Sequence, residues 1–304
     1  MAVLASLLHG MLSVGQKVRV NVTPNHFYSD IPDLGHLGQE SYWRRPWSMT
    51  GIAGTDVDEQ LARVGDWCSP YVSIPGLAGA YKEACECNGE VGYGPTEASV
   101  LYCFIRATKP RKIVQVGCGV STALILLAAE AEPGYTPEVV CVEPYPTPML
   151  TREHGAGRIR LLPQMAQTVD LKELTSLGAG DLLFVDSTHT VKPGSEVLRL
   201  IFDVLPRLQE GVFVHFHDIS MPYDYAPSTL NAVFFWRETA ILMAFLTNNP
   251  SYEIAASLSM LHHSRQEELR AILPSYRPRP MRDGLQTGEG HFPSAVYLRR
   301  TATV

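Results

Sequence analysis

The sequence predicts an α/β fold: a doubly wound, mostly parallel sheet of seven strands with an N-terminal cap of helices and loops. Two observations carry this prediction. After residue 110, short apolar segments alternate with longer helical segments, which is the pattern of parallel strands joined by crossover helices. Apolar residues also make up 45% of the 304 residues, enough to cover such a sheet on both faces.

The chain is expected to divide near residue 92. Residues 1–92 are rich in aromatic residues and turn formers, as in PNHFYSDIPDLGHLGQESYWRRPWS. They should form a cap that covers the substrate, while residues 93–304 form the ligand-binding domain. The first residues, MAVLASLLHGMLSVG, are apolar but have no basic n-region. We interpret them as a helix that could pair two copies of the chain rather than as a signal peptide.

The elements follow in order. TEASVLYCFIRA has helical spacing and ends at Lys109–Pro110. Strands are predicted in RKIVQVG, EVVCVEP, RIRLLPQ, DLLFVDS, GVFVHFHDI, SYEIAASLS and SAVYLRR. Helices are predicted in GVSTALILLAAEAEPG, SEVLRLIFDVLPRL and NAVFFWRETAILMAFLTNN. The segment before the last strand contains several prolines and is predicted to be mostly irregular. The last strand could therefore run antiparallel beside the fifth.

Charge and composition exclude several classes of function. The formal net charge is −6, and the basic residues are scattered, which argues against a nucleic-acid or anionic-membrane surface. No apolar stretch approaches the ~20 residues of a transmembrane helix. The six cysteines fit reduced thiols better than disulfides or a zinc site. We therefore expect a cytoplasmic protein.

A glycine-containing turn follows the first strand. Gly117 and Gly119 let the backbone approach a ligand closely, and the next helix offers free N–H groups. Thr122 replaces the third glycine of the dinucleotide fingerprint. A nucleoside carrying an amino-acid tail therefore fits at least as well as a dinucleotide, although a plain strand–helix turn could have the same sequence. Glu143, at the end of the second strand, could bind ribose hydroxyls or be a solvated acid.

The fourth and fifth strands end in titratable residues: Asp186, His189, His217 and Asp218. Ligands of parallel sheets lie at these carboxyl ends. Alternation along VFVHFHD predicts that His215 and His217 point one way and Asp218 the other. Buried groups of this kind are costly unless they are paired or metal-bound. The alternatives are a structural Asp–His pair or carboxylates that cap helices.

The order IVQVGCGVST, CVEPYP, DLLFVDSTH and GVFVHFHDI, with a tryptophan-containing helix ending in AFL, resembles class I S-adenosylmethionine (SAM)-dependent methyltransferases. More narrowly, it resembles a subfamily with DSSH and HDI strand ends and an FYSPIPD-like segment. The resemblance runs from about Pro24 to the sixth strand. It implies a Rossmann-like fold and methyl transfer to a hydroxyl or amine of a small molecule, for example in secondary metabolism.

The resemblance also implies site residues. The SAM contacts would be Gly117, Gly119, Ser121, Thr122, Glu143, Gln167 and Asp186. Residues 27–33 would cover the site, and substrate contacts would come from His26, Tyr28, Tyr223 and Trp236. Two departures stand out: Gln115 replaces an acidic residue that is usual in relatives, and WRETAIL replaces their W-N-E-Q-Y while Trp236 and Glu238 are kept.

Two chemistries remain open at the strand ends. In the first, which we prefer narrowly, no metal binds and His189 or His217 is the general base. In the second, Asp186, His189, His217 and Asp218 hold a divalent cation, as in metal-dependent O-methyltransferases. The competing functions are a nicotinamide-dependent oxidoreductase, which shares the glycine turn and the strand-two acid, and a non-catalytic SAM-binding module.

Overall fold

The computed structural model describes residues 2–302, with the side chains of residues 2–5 and of Pro75 outside the description. Seven segments form one sheet: β1 (Lys112–Val116), β2 (Glu138–Val142), β3 (Arg160–Leu162), β4 (Leu182–Val185), β5 (Phe213–Phe216), β6 (Tyr252–Ser257) and β9 (Val296–Arg300). Their order is β3-β2-β1-β4-β5-β9-β6, and a separate hairpin pairs β7 (Met281–Arg282) with β8 (Leu285–Gln286). The predicted fold class and all seven predicted strands are confirmed.

The last strand lies inside the sheet. β9 pairs antiparallel with β5 on one side and with β6 on the other, so that Leu298 is opposite both Val214 and Ile254. The strands from β1 to β5 are parallel. The antiparallel direction that the sequence left open is therefore the one adopted. Strand order reverses between β1 and β4, and this is where doubly wound sheets bind ligands.

The helices cover the two faces of the sheet. The helices that precede β1 in the chain are α1 (Ala2–Lys17), α2 (Leu34–Gln39), α3 (Val57–Cys68), α4 (Pro75–Asn88) and α5 (Pro95–Thr108). The helices that follow β1 in the chain are α6 (Val120–Glu130), α7 (Pro148–Gly155), α8 (Leu171–Thr175), α9 (Glu196–Arg199), α10 (Glu238–Leu246), α11 (Leu258–Ser264) and α12 (Gln266–Ile272). A π turn (Leu200–Val204) and a 3-10 turn (Leu205–Arg207) prolong α9.

Successive residues of each strand point to opposite faces of the sheet and belong to two different hydrophobic cores. Ile113 and Phe184 join a core with Phe104 of α5, whereas Val114 and Leu183 join a second core on the opposite face. Burial on both faces explains why these strands read as continuous apolar runs. The central strands are thereby fixed, and their carboxyl ends are held in place.

Two sequence predictions are wrong in detail. The helix expected from Asn231 begins only at Glu238. Before it, the backbone N–H of Arg237 donates to the His189 carbonyl, and its guanidinium donates to the carbonyl of Asp30. The proline-containing stretch is also more ordered than expected, because α11, α12 and the β7–β8 hairpin lie within it. Ser257 caps α11 by accepting a hydrogen bond from the N–H of Met260.

The N-terminal region forms short helices and loops, as predicted. Helix α1 leaves Leu7, Met11 and Val14 exposed, and its pairing with a second copy stays a prediction, as does the division of the chain near residue 92. The Ile254 N–H of β6 donates to the carbonyl of Ala53. Among residues 2–302, no helix has both the length and the apolar character needed to cross a membrane.

Candidate functional site

The ends of β4 and β5 bring four predicted residues together. Asp186 directly follows β4, and its N–H donates to the carbonyl of Val116; His217 directly follows β5, and its N–H donates to Val185. These bonds continue the strand pairing and fix both residues. The Nδ1 atom of His217 lies 3.3 Å from Oδ1 of Asp186 and 3.6 Å from Oδ2 of Asp218. We call Asp186, His189, His217 and Asp218 the strand-end cluster.

Asp218 does not point away from His217, as strand alternation predicted. Its φ is 55°, and that of His189 is 56°, a left-handed conformation that costs non-glycine residues about 1–3 kcal/mol. The β5 alternation ends at this turn, and the carboxylate of Asp218 swings toward the cluster, where the hydroxyl of Ser294 donates to its Oδ1 over 3.0 Å. Strained residues of this kind gather at functional sites.

His189 joins the two carboxylates. Its Nε2 lies 3.5 Å from an oxygen of Asp186 and 3.5 Å from one of Asp218. On the other side of the ring, Nδ1 lies 2.8 Å from Oε2 of Glu238, whose side chain is buried. Glu238 was noted in the sequence but not assigned to the site. The structure adds it as the partner that sets the orientation of the His189 ring.

Charge dominates the cluster. Burial acts against protonation of His217, but the charge of Asp186 overcomes it and raises the pKa of His217 to about 9. For His189, burial is likewise outweighed by hydrogen bonding to Asp186 and Glu238, which raises its pKa to about 10. Burial of Asp186 is in turn outweighed by the charge of His217, and the pKa of Asp186 is lowered. The carboxylates therefore favour positive charge between them.

Sequence reasoning missed two further neighbours of His217. Glu97, buried in α5, places Oε1 at 3.9 Å from Nε2 of His217 and accepts the N–H of Ser294. Burial raises the pKa of Glu97. The Tyr93 ring lies 4.6 Å from that of His217, and its hydroxyl lies 3.1 Å from Nε2 of His215. Glu97 is the only acidic residue in the apolar segment TEASVLYCFIRA, and this could have marked it as a candidate site residue.

Three residues of the cluster have the composition of a cation site. One ligand atom each from Asp186, His217 and Asp218 lies within 4.8 Å of the others. Both ring nitrogens of His217 are buried without a hydrogen-bond partner in the described part of the chain. An imidazole and two carboxylates suit Mn, Fe, Ni or Zn as well as Mg. The residues therefore fit a divalent cation, which would also give one of the two His217 ring nitrogens a partner.

The glycine turn borders a cavity of about 300 Å³, called here the glycine-turn cavity. Its lining includes Gly117, Gly119, Ser121, Glu143 and Asp186. A Cβ at Gly119 would come no closer than 3.4 Å to the side chain of Asn88. A Cβ at Gly117, whose φ is +82°, would lie 1.7 Å from the carbonyl oxygen of Asp186. The protein itself therefore requires glycine at 117.

The other predicted SAM contacts divide into two groups. Glu143 accepts hydrogen bonds from the N–H groups of Cys118 and Tyr145. The hydroxyl of Thr122 accepts the Gly119 N–H, and that of Ser121 accepts the amide of Gln115. These residues lie at the turn. Gln167 is not among the residues that line the glycine-turn cavity, and its amide donates to Glu196.

A second cavity, of about 180 Å³, adjoins the opposite carboxylate of the cluster. It is called here the Arg279 cavity and is lined by Asp218, Ser220, Ala226, Pro227, Ser228, Trp236, Arg279, Gln286, Phe292 and Ser294. The Trp236 ring lies 4.8 Å from that of His189. Asp186 thus faces one cavity and Asp218 the other, so that the strand-end cluster touches both.

The remaining predicted substrate contacts lie farther from the cluster. Tyr223 packs its ring 4.9 Å from that of His263 and lines neither cavity. Tyr28 is 84% exposed, and its ring contacts those of His26 and Phe27. The structure therefore brings Trp236 to the cluster, whereas His26, Tyr28 and Tyr223 are not seen to contact it.

Comparison with known proteins matches part of the chain to one family. Residues 114–219 match the model of a methyltransferase domain, a range that begins within β1, runs through β5 and contains the whole strand-end cluster. An uncharacterized protein of Archaeoglobus fulgidus is 27% identical over 173 residues, which cover 54% of this chain and 77% of that protein.

Solved structures with some likeness are also methyltransferases. A candidate O-methyltransferase from Klebsiella pneumoniae is 14% identical, with a TM-score of 0.43 over 77% of this chain and 93% of its own. The O-methyltransferase TomG from Streptomyces achromogenes, solved with SAM, is 12% identical, with a TM-score of 0.42 over 81% and 99% of the two chains.

Proposed function

We propose that the chain is a class I SAM-dependent methyltransferase, and that it transfers the methyl group to a hydroxyl, or an amine, of a small molecule bound beside Asp218. The observation that carries this proposal is the position of the strand-end cluster. It touches the glycine-turn cavity through Asp186 and the Arg279 cavity through Asp218. A methyl donor and an acceptor can therefore approach the same four side chains from two sides.

The residues of the glycine-turn cavity suit SAM. The start of α6 offers backbone N–H groups, and Gly119 leaves open the space that a side chain would fill. Glu143 lines the cavity with a carboxylate that can accept ribose hydroxyls. When bound, SAM supplies an electrophilic methyl group on its sulfonium.

In this proposal the chain contributes mainly alignment. In-line displacement requires the acceptor atom, the methyl carbon and the sulfur to be nearly collinear, and such positioning can be worth ~7–11 kcal/mol. Trp236 and Asp218 both line the Arg279 cavity and would orient the acceptor toward Asp186. His189, oriented by Glu238, lies 3.5 Å from both carboxylates and would help to hold them in position.

We infer that Asp186, His217 and Asp218 hold a divalent cation, with His189 as a neighbour. The buried, unpartnered ring nitrogens of His217 support this assignment. Without a cation, the carboxylates raise the pKa of His189 and of His217 and so favour the protonated rings, and a protonated ring accepts no proton. A bound cation would lower the pKa of an acceptor hydroxyl. The metal-free histidine base stays the alternative prediction.

A small acceptor agrees with the charge of the chain and with the size of its cavity. The net charge of −6 and the scattered basic residues suit nucleic acid poorly. The Arg279 cavity, at about 180 Å³, lies below the ~300–1,000 Å³ typical of drug-sized ligands. A role in secondary metabolism stays a prediction.

Isotope-labelled SAM incubated with metabolite extracts tests the proposal. We expect label in a low-molecular-weight fraction, and its transfer to bulk nucleic acid would contradict the proposal. Titration of the chain with SAM and with NAD separates methyl transfer from the oxidoreductase alternative.

Alanine variants at Asp186, His189, His217 and Asp218 test the cluster, with the exposed Asp203→Ala as the control. A cation site predicts that chelation abolishes label transfer, that a divalent ion restores it, and that metal content falls in the variants of its three ligands. A histidine base predicts losses of roughly 10²–10⁴ without sensitivity to chelators. Lower thermal stability with unchanged turnover per folded molecule would contradict both roles.

A further inference from the structure

We propose that the acceptor carries a carboxylate on a planar ring, and that Arg279 binds this carboxylate at the end of the Arg279 cavity away from the reacting group. This inference rests on the proposed function and adds the substrate class. No other lysine or arginine is among the residues that line this cavity. The guanidinium keeps its charge at any physiological pH, so the cavity presents one fixed positive charge to its ligand.

The β7–β8 hairpin holds Arg279 in place. Its Nε donates to the carbonyl of Gly290 over 3.1 Å, and its Nη1 donates to Oε1 of Gln286 over 2.8 Å. Gln286 is itself anchored, because its N–H donates to the carbonyl of Pro227, another residue that lines the cavity. In the described part of the chain, Nη2 makes no hydrogen bond. A fixed guanidinium with a free terminal nitrogen is prepared for a charge-assisted bond to an anion.

The remaining lining residues define the rest of the ligand. Trp236 and Phe292 contribute aromatic side chains, and Ala226 and Pro227 add small apolar surface. Flat aromatic faces favour a planar ring between them. Asp218 contributes the carboxylate of the strand-end cluster, so the hydroxyl or amine of the ligand would face Asp218. A hydroxybenzoate-sized acid combines these three features in a volume suited to the small cavity.

The test compares two probes of nearly equal shape, 3-hydroxybenzoate and its neutral analogue 3-hydroxybenzamide. Each is titrated calorimetrically into the chain saturated with S-adenosylhomocysteine, so that no turnover occurs. We expect the acid to bind at least about 10-fold more tightly than the amide, since a charge-assisted bond to Arg279 is available only to the acid. Equal affinities, or no binding of the acid, would overturn the inference.

Three variants locate the preference. Arg279→Met should abolish the tighter binding of the acid than of the amide. Arg277→Met should keep this preference, because Arg277 is exposed and does not line the cavity. Gln286→Glu provides a second route, because the new carboxylate would pair with the guanidinium and offset its charge without removing Arg279, and it should also abolish the preference for the acid. A preference that survives in folded Arg279→Met or Gln286→Glu would contradict the assignment.

Failure of this inference can be told apart from failure of the proposed function. If S-adenosylhomocysteine binds and label from SAM enters small molecules, but the acid binds no better than the amide, only the substrate class is wrong. If S-adenosylhomocysteine does not bind either, the proposed function itself fails.

Discussion

His189 and Glu238 form a buried pair in which Nδ1 of the ring lies 2.8 Å from Oε2 of the carboxylate. Glu238 lies in the first turn of α10, 49 residues after His189, and burial raises the pKa of Glu238. The contact fixes the ring so that Nε2 points to both Asp186 and Asp218. We regard Glu238 as a positioning residue for the cluster.

Glu238→Ala should lower kcat by about 10–100-fold, the usual cost of losing a supporting carboxylate, with little change in affinity for SAM. Glu238→Gln keeps an oxygen that can accept a hydrogen bond from Nδ1–H of His189 and should recover much of the loss. Label transfer from SAM, measured with both variants, checks this. A purely structural role would lower the melting temperature in both variants and leave kcat per folded molecule unchanged.

Substitution of the two glycines of the turn should affect different properties: stability at Gly117 and SAM binding at Gly119. Gly117→Ala should destabilise the fold by about 3 kcal/mol or more, because the new Cβ meets the carbonyl oxygen of Asp186 and φ is +82°. Gly119→Val should fold, since only the side chain of Asn88 is close, but it should lose SAM binding. Melting curves and calorimetry decide between these outcomes. Unchanged SAM affinity in folded Gly119→Val would remove Gly119 from the cofactor site.

Glu143→Ala should weaken SAM binding by about 1.5–3 kcal/mol, the worth of hydrogen bonds to a charged acceptor. Glu143→Gln is the matched control: the N–H groups of Cys118 and Tyr145 bond to different oxygens of Glu143, and the one amide oxygen of glutamine can keep one of these two bonds. Titration with SAM measures the difference. A loss confined to acceptor affinity would show that Glu143 does not contact the ribose.

Acid should destabilise the chain through His262 and His263. Burial lowers the pKa of each to about 4, whereas a histidine in the unfolded chain titrates near ~6.5. The unfolded chain therefore gains protons first, and stability present above about pH 6.5 is lost as the pH falls toward 4.

The melting temperature should accordingly drop by several degrees between pH 7 and pH 5. His263→Phe keeps a ring against Tyr223 and Phe292 and should flatten this profile. The exposed His36→Phe serves as the control. A profile as steep in His263→Phe as in the wild type would contradict the assignment for His263.

Local sequence patterns were enough to predict the sheet. Each strand is a short apolar run because both of its faces are buried. Such runs can be recognised in the amino-acid sequence. The β7–β8 hairpin was not visible in the same way, because its two strands have two residues each. Its prolines suggested irregular structure, whereas contacts such as that between Gln286 and Pro227 order it.

The candidate site was only partly predictable. Asp186 and His217 follow buried strands, so topology alone brings them together. The direction of Asp218 depends on a left-handed φ of 55°, which a strand pattern cannot indicate. Glu97 and Ser294 meet across 197 residues of sequence, and Arg279 reaches its cavity through a hairpin. Such long-range contacts depend on packing and leave no periodic signal.

The placement of β9 between β5 and β6 also has a consequence for biosynthesis. Until residues 296–300 emerge from the ribosome, β5 has an unpaired edge and β6 lacks its neighbour in the sheet. Open strand edges are templates for association with other chains. A nascent or prematurely terminated product that stops before Val296 would therefore be prone to aggregate.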